Sequence, residues 1–206
     1  MLLFIINVSL RRKKINIFYL SNNPQECAEM HVSSHSSKMC IEYAQLLSTA
    51  HRVIDGTEYI GKTANNRNIK RWKLPDSRED ELMIACHVNH PSAVWCRQSK
   101  ENYLWLYALW KELCKEYTYR YGRVHACSRL LDALSKAPSN ISDKPFTEPT
   151  PAMPDEVKVP GDSIKSYQDY YFMNKQHLWS WSGKINSRSM PVWLSNKISE
   201  AIRKNS

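Results

Sequence analysis

A chain of 206 residues with 42% hydrophobic and 24% charged side chains has the size and composition of one globular domain. None of its apolar runs, residues 2–6 included, is long enough to span a bilayer. Five glycines in all argue against a turn-rich β fold and against a glycine-rich phosphate loop, and so against a dinucleotide-binding domain. The formal charge of +9 is clustered: residues 62–73 hold five basic groups and no acid, and residues 162–206 hold seven basic against three acidic. Such clustering predicts a face that attracts polyanions.

Residues 1–14, ending in Arg11, Arg12, Lys13 and Lys14, read as an N-terminal extension to a domain of residues 15–206. The run Ile15 to Leu20 predicts a short strand or extended lead-in. Asn23 as cap, Pro24 at the first helical position and Glu26 in the first turn then open a helix. That helix is expected to run unbroken to about His51 and to stop by Gly56. Thr57 to Lys73 reads as a β-hairpin or loop, with the basic cluster on its return and Trp72 interleaved. Pro75-Asp76-Ser77, followed by Glu79, Asp80 and Glu81, opens a second helix expected to end near His87, and Pro91 restarts one after a break.

From Ser99 onward Tyr103, Leu106, Tyr107, Trp110, Leu113, Cys114, Tyr117 and Tyr121 keep helical spacing until Gly122 supplies a stop. This stripe reads as core. Val124 to Leu134 predicts a fourth helix with Leu130, Leu131 and Leu134 inward. Six prolines within residues 138–161 exclude regular structure and predict a long loop, functional or wrapped over the surface. Asp162 caps a further helix through Tyr171, and Pro191 begins a last amphipathic one. The expected fold class is mainly α: one compact helical domain with a small β-hairpin or an extended N-terminal strand.

The six cysteines form no C-x-x-C pair and mostly fall on predicted helix faces, which suits reduced, buried thiols in a cytosolic protein. No motif calls for a cofactor. On the first helix, His31, His35, Lys38, Glu42, Gln45 and Thr49 fall within an arc of about 80° at 100° per residue. A stripe of two imidazoles, an ammonium and a carboxylate has the groups for acid–base work: His as proton shuttle, Glu42 as base, Lys38 as amine nucleophile or clamp. The same pattern is also that of a solvated helix face. His31 and His35 carry the i, i+4 spacing of a metal pair, with His87 or His90 as a possible third ligand. Arg97 and Lys100, one turn apart, suit phosphate contacts, as do Arg67, Lys70, Arg71 and Lys73, with His90 exposed in the loop before Pro91. Trp179 and Trp181, in a Ser/Lys-rich loop, are candidates for base stacking or for anchoring that loop. Asp155 and Glu156 in the Pro-rich segment read as solvated acids.

The phrases INIFYLSNNPQECA (residues 15–28), EYAQLLSTAHRVIDG (42–56), HPSAVWCRQSK (90–100) and AMPDE (152–156) resemble an uncharacterised family of small proteins of tailed phages, marine and cyanobacterial ones especially. The likeness covers residues 15–194, and it implies a location in the cytoplasm of an infected host cell. More faintly, Ala28-Glu29-Met30-His31 and the aromatic, basic helix from His90 to Gly122 resemble the phage-type pyrimidine-dimer DNA glycosylases, small helical repair enzymes with AP-lyase activity. Those enzymes use an N-terminal amine and a helix glutamate. The resemblance places Lys38 at the glutamate's position, with Glu42 the nearest substitute, and makes Lys38 the implied Schiff-base amine. Where the phage family reads H-x-D-K-H-V-V-K-M, this chain has serine at positions 33, 34, 36 and 37. The missing Asp at position 33 removes a natural base or metal ligand, a departure consistent with a weakened or inactive copy.

These readings together predict a DNA-acting protein, a base-excision glycosylase or lyase that flips its target nucleotide. A non-enzymatic nucleic-acid or host-protein binder and a His-ligated metalloenzyme acting on nucleotides are the alternatives.

Overall fold

The computed structural model describes residues 15–205, so the N-terminal extension lies outside the described residues. The fold is mainly α, as the periodicity predicts. Its helices are α1 (Pro24–Met30), α2 (Ser33–Asp55), α3 (Arg78–Glu81), α4 (Pro91–Gln98), α5 (Lys100–Tyr121), α6 (Ser163–Asn174) and α7 (Val192–Asn205). Strands β1 (Thr57–Lys62) and β2 (Asn68–Lys73) pair antiparallel as a hairpin, with Glu58 opposite Trp72 and Ile60 opposite Lys70.

The core lies where α2 and α5 pack together. Met39, Tyr43, Leu46 and Leu47 of α2 meet Tyr103, Leu106, Trp110 and Leu113 of α5, all fully buried. Residues 15–20 form an extended lead-in without strand pairing, and Phe18 N–H donates to the Tyr43 hydroxyl. Helix starts are set by local chemistry. Asn23 Oδ1 accepts from Gln25 and Glu26 N–H, Ser99 Oγ from Asn102 N–H, and Asp162 Oδ1 from Lys165 N–H. Gly122 ends α5 at φ 68°, in the left-handed region.

Three predicted helices are shorter than the sequence suggests, the first two because side chains capture carbonyls that a longer helix would use. The first breaks at His31 and Val32, both extended. There the Cys27 carbonyl accepts from the His31 ring, the Glu29 and His31 carbonyls from Arg120, and the Met30 carbonyl from Trp181 Nε1. Helix α3 stops at Glu81 rather than near His87, because Arg52 takes the carbonyls of Glu79, Leu82 and Met83. The expected helix from Val124 to Leu134 is a 3-10 turn at Ala126–Leu130 followed by turns. The Tyr107 and Tyr103 hydroxyls donate to the Leu131 and Leu134 carbonyls, while Leu130 and Leu134 are buried as expected.

The proline-rich segment is irregular apart from one 3-10 turn at Asp155–Val157. It is pinned rather than loose. Asp55 accepts from the Ser139 and Asn140 N–H groups, and Asn102 and Trp95 hold Thr147. No helix among the described residues is long and apolar enough to cross a membrane.

Candidate nucleic-acid interface

The hairpin stands off the helical core, with β1 almost wholly exposed. Its register sorts the side chains by face. One face carries Glu58, Ile60 and Lys62 with Trp72, Lys70 and Asn68; the other carries Thr57 and Tyr59 with Lys73 and Arg71. Each face therefore combines one aromatic ring with two cations. Lys70 is partly spent, since its Nζ lies 2.8 Å from Glu58 Oε1. Arg67 sits exposed at the turn, where Asn66 takes φ 58° and the Thr63 hydroxyl accepts from Arg67 N–H.

What aims this ribbon is Arg52, a residue the sequence reading passed over. It is buried at the end of α2, and its guanidinium donates to the carbonyl of Trp72 at 3.1 Å, to Glu79 Oε2 at 2.6 Å and to three further carbonyls. Glu79 in turn accepts from Leu74 N–H. The close approach of chains leaves no space at Gly56, where a Cβ would lie 2.4 Å from the Arg52 carbonyl oxygen. The hairpin base is thus fixed to the long helix by charge-assisted bonds, which are about twice as strong as neutral ones.

Arg52 also binds the segment after α3, so that residues 82–90 form a strap across the end of α2. Thr49 Oγ1 accepts from Cys86 N–H and donates to Cys86 O, and Arg97 Nη1 donates to Val88 O at 2.7 Å. His87 holds φ 52°, a left-handed conformation that costs a histidine roughly 1–3 kcal/mol. Between this strap and the hairpin lies a cavity of about 450 Å³, with Trp72 and Lys70 on one wall and Cys86, His87 and Asn89 on the other.

The polar stripe of the first helix is divided by the structure. His31 lies at the break before α2, fully buried. Its Nδ1–H donates to Cys27 O at 2.7 Å, and its Nε2 accepts from the Tyr43 hydroxyl at 3.0 Å. His35 is buried too, stacked on Phe18 at 4.2 Å between ring centroids, with Nδ1 2.7 Å from the Tyr171 hydroxyl. Burial pushes His31 down to about 4 and His35 to about 2, so both are neutral near pH 7. They are core residues. The remaining pair stays near the surface: Lys38 Nζ, with its side chain 49% exposed, lies 3.0 Å from Glu42 Oε1. Glu42 Oε2 is buried with no hydrogen-bond partner.

Comparison with protein-family models, curated proteins and solved structures returns no match for this chain.

The other predicted contacts divide similarly. Lys73 is exposed and Arg71 half-buried on the hairpin, and Lys100 is exposed at the start of α5. Arg97 and His90 have local duties instead. Arg97 holds the strap, and His90 Nδ1 accepts from Ser92 N–H as the cap of α4. Among the described residues no group of three His, Cys, Asp or Glu side chains is placed to hold a metal ion, so neither His87 nor His90 completes a triad with His31 and His35. Trp179 and Trp181 anchor their loop to the core: their indole N–H groups donate to Tyr171 O and Met30 O. Ser33 tethers the same loop, donating to the carbonyls of Ser180 and Ser182. Asp155 pairs with Lys158.

Proposed function

We propose that this chain is a DNA-acting protein of the base-excision type, whose hairpin holds phosphates and whose Lys38–Glu42 pair supplies lyase chemistry. The observation that carries the reading is that pair: an accessible primary amine against a nearly buried carboxylate with one oxygen free. In the proposed reaction the lysine proton passes to the glutamate and the free amine adds to C1′ of a ring-opened abasic sugar. Loss of water gives the Schiff base. Glu42, having returned its proton, takes one from C2′, and the 3′ phosphate leaves by β-elimination.

The spacing supports joint action. Lys38, Glu42, Thr49 and Arg52 share one face of α2, and the rise of about 1.5 Å per residue puts Lys38 about 21 Å from Arg52. That length matches about six base pairs at ~3.4 Å each. The alternative, a DNA-binding protein without turnover, draws on the sealing of His31 and His35 in the core, which leaves Lys38 and Glu42 without a titrating partner from that stripe.

Borohydride trapping on an abasic duplex separates the two. The wild-type chain should form a covalent adduct, Lys38→Ala should abolish it, and Glu42→Gln should slow it by about 10²–10⁴-fold. Equal trapping by Lys38→Ala would remove Lys38 as nucleophile. Salt-dependent binding with no adduct would leave the binding protein alone.

A further inference from the structure

We propose that the cavity between the hairpin and the 82–90 strap is a receptor for one unstacked nucleobase, with Trp72 as its stacking surface. The inference rests on the DNA reading above but concerns a different site from Lys38 and Glu42.

The volume of about 450 Å³ lies within the range of ~300–1,000 Å³ usual for small-molecule sites. Its lining combines the indole-bearing Trp72, the apolar Ala85 and Val88, and the polar Asn89 and His87. A flat ring with polar edges fits that lining. Cations flank it on the same ribbon, with Lys70 at the cavity, Lys62 on the same face and Arg71 and Lys73 on the other. A planar base on a phosphate chain is the ligand class that satisfies both features at once, since stacking on aromatic rings and backbone neutralisation together hold single strands. Asn and Glu side chains also suit the edges of bases bearing an exocyclic amino group. Asn89 is the amide at this cavity, while Glu58 is paired with Lys70.

Both walls are built rather than incidental. The Trp72 main chain is held by Arg52 of α2, and the strap is held at Cys86 by Thr49 and at Val88 by Arg97 of α4. Between those two anchors the chain turns through the left-handed His87, whose carbonyl accepts from His90 N–H. Strained backbone that persists between fixed points is characteristic of ligand clamps. A site assembled before binding loses less to ordering when it is filled.

The test uses the full chain and a short single strand carrying one 2-aminopurine, with the matching fully paired duplex as control. The wild type should quench 2-aminopurine fluorescence on binding. Trp72→Ala should weaken single-strand binding by about 5- to 100-fold and lose the quench, Trp72→Phe should keep most of both, and duplex binding should fall by a smaller factor. Unaltered single-strand affinity in Trp72→Ala would overturn the pocket while leaving the DNA reading intact; so would equal loss on duplex, which would assign the indole to hairpin folding. Should Trp72→Ala fail to fold, Asn89→Ala decides. It should lower affinity for the 2-aminopurine strand but not for a strand abasic at that position, and equal affinity of wild type for those two strands overturns the proposal. No binding of either DNA form by the wild type would sink the DNA reading and the pocket together.

Discussion

Three imidazoles, His31, His35 and His51, sit in this fold as neutral hydrogen-bonding groups rather than as titrating ones. His51 Nδ1 accepts from Arg78 at 2.9 Å and its Nε2–H donates to the Tyr103 hydroxyl, while burial first and Arg78 second push it down to about 4. The unfolded chain protonates these rings below pH ~6.5, whereas the native state resists protonation until pH falls to about 4 or lower. The unfolded state therefore binds more protons in that window, and stability falls as pH drops through it. Each ring contributes a slope of roughly 1.4 kcal/mol per pH unit. Urea unfolding at pH 7 and pH 5 should show a clear loss at the lower pH, and His31→Gln should make the loss smaller. A midpoint independent of pH would mean that the rings are solvated. The identity of these residues was plain in the sequence, but their burial was not: an arc of polar residues at helical spacing describes a wet face and a buried hydrogen-bonded one equally well.

At the scale of the element, starts were more legible than stops. Asn23, Ser99 and Asp162 cap with their own side chains, so a few adjacent residues carry the signal. Gly122 is a stop that is equally local, because glycine adopts φ 68° at little cost. Gly122→Ala should lower stability by about 1–3 kcal/mol, since the new Cβ adds a 2.9 Å approach to Ile185 Cγ1 to the backbone strain. The check is a lower urea midpoint with an unchanged slope; an unchanged midpoint would place the α5 terminus in another conformation. The stops of α1 and α3 depend on partners far along the chain. Arg120 ends α1 from about ninety positions away, and Arg52 ends α3 from about thirty, so no window on the sequence contains both donor and acceptor. The same applies to the strap, whose shape depends on Thr49 and Arg97.

For the molecule as a whole, the excess of +9 acts through where it is presented. If the hairpin meets duplex DNA, plotting log affinity against log salt should give a steep negative slope. Lys73→Ala should reduce its magnitude by about 0.9, the value for one lost phosphate contact. Lys70→Ala should change it less, because Glu58 already pairs with Lys70. An unaltered slope in both variants would mean that these charges face solvent and that the polyanion, if any, lies elsewhere.

The mainly α class, the hairpin and its cations, the helix caps and the apolar stripe of α5 were legible in the residues alone, since each is written in positions a few places apart. Which polar residues are sealed and which are open depended on how the helices pack. It took Tyr43 and Tyr171 to close off His31 and His35, and Arg52 to join Trp72 to the strap across α2. The physical reason is range. Propensity and periodicity act over one or two turns, whereas burial and the capture of carbonyls by buried guanidinium groups depend on segments that meet only once the chain has folded.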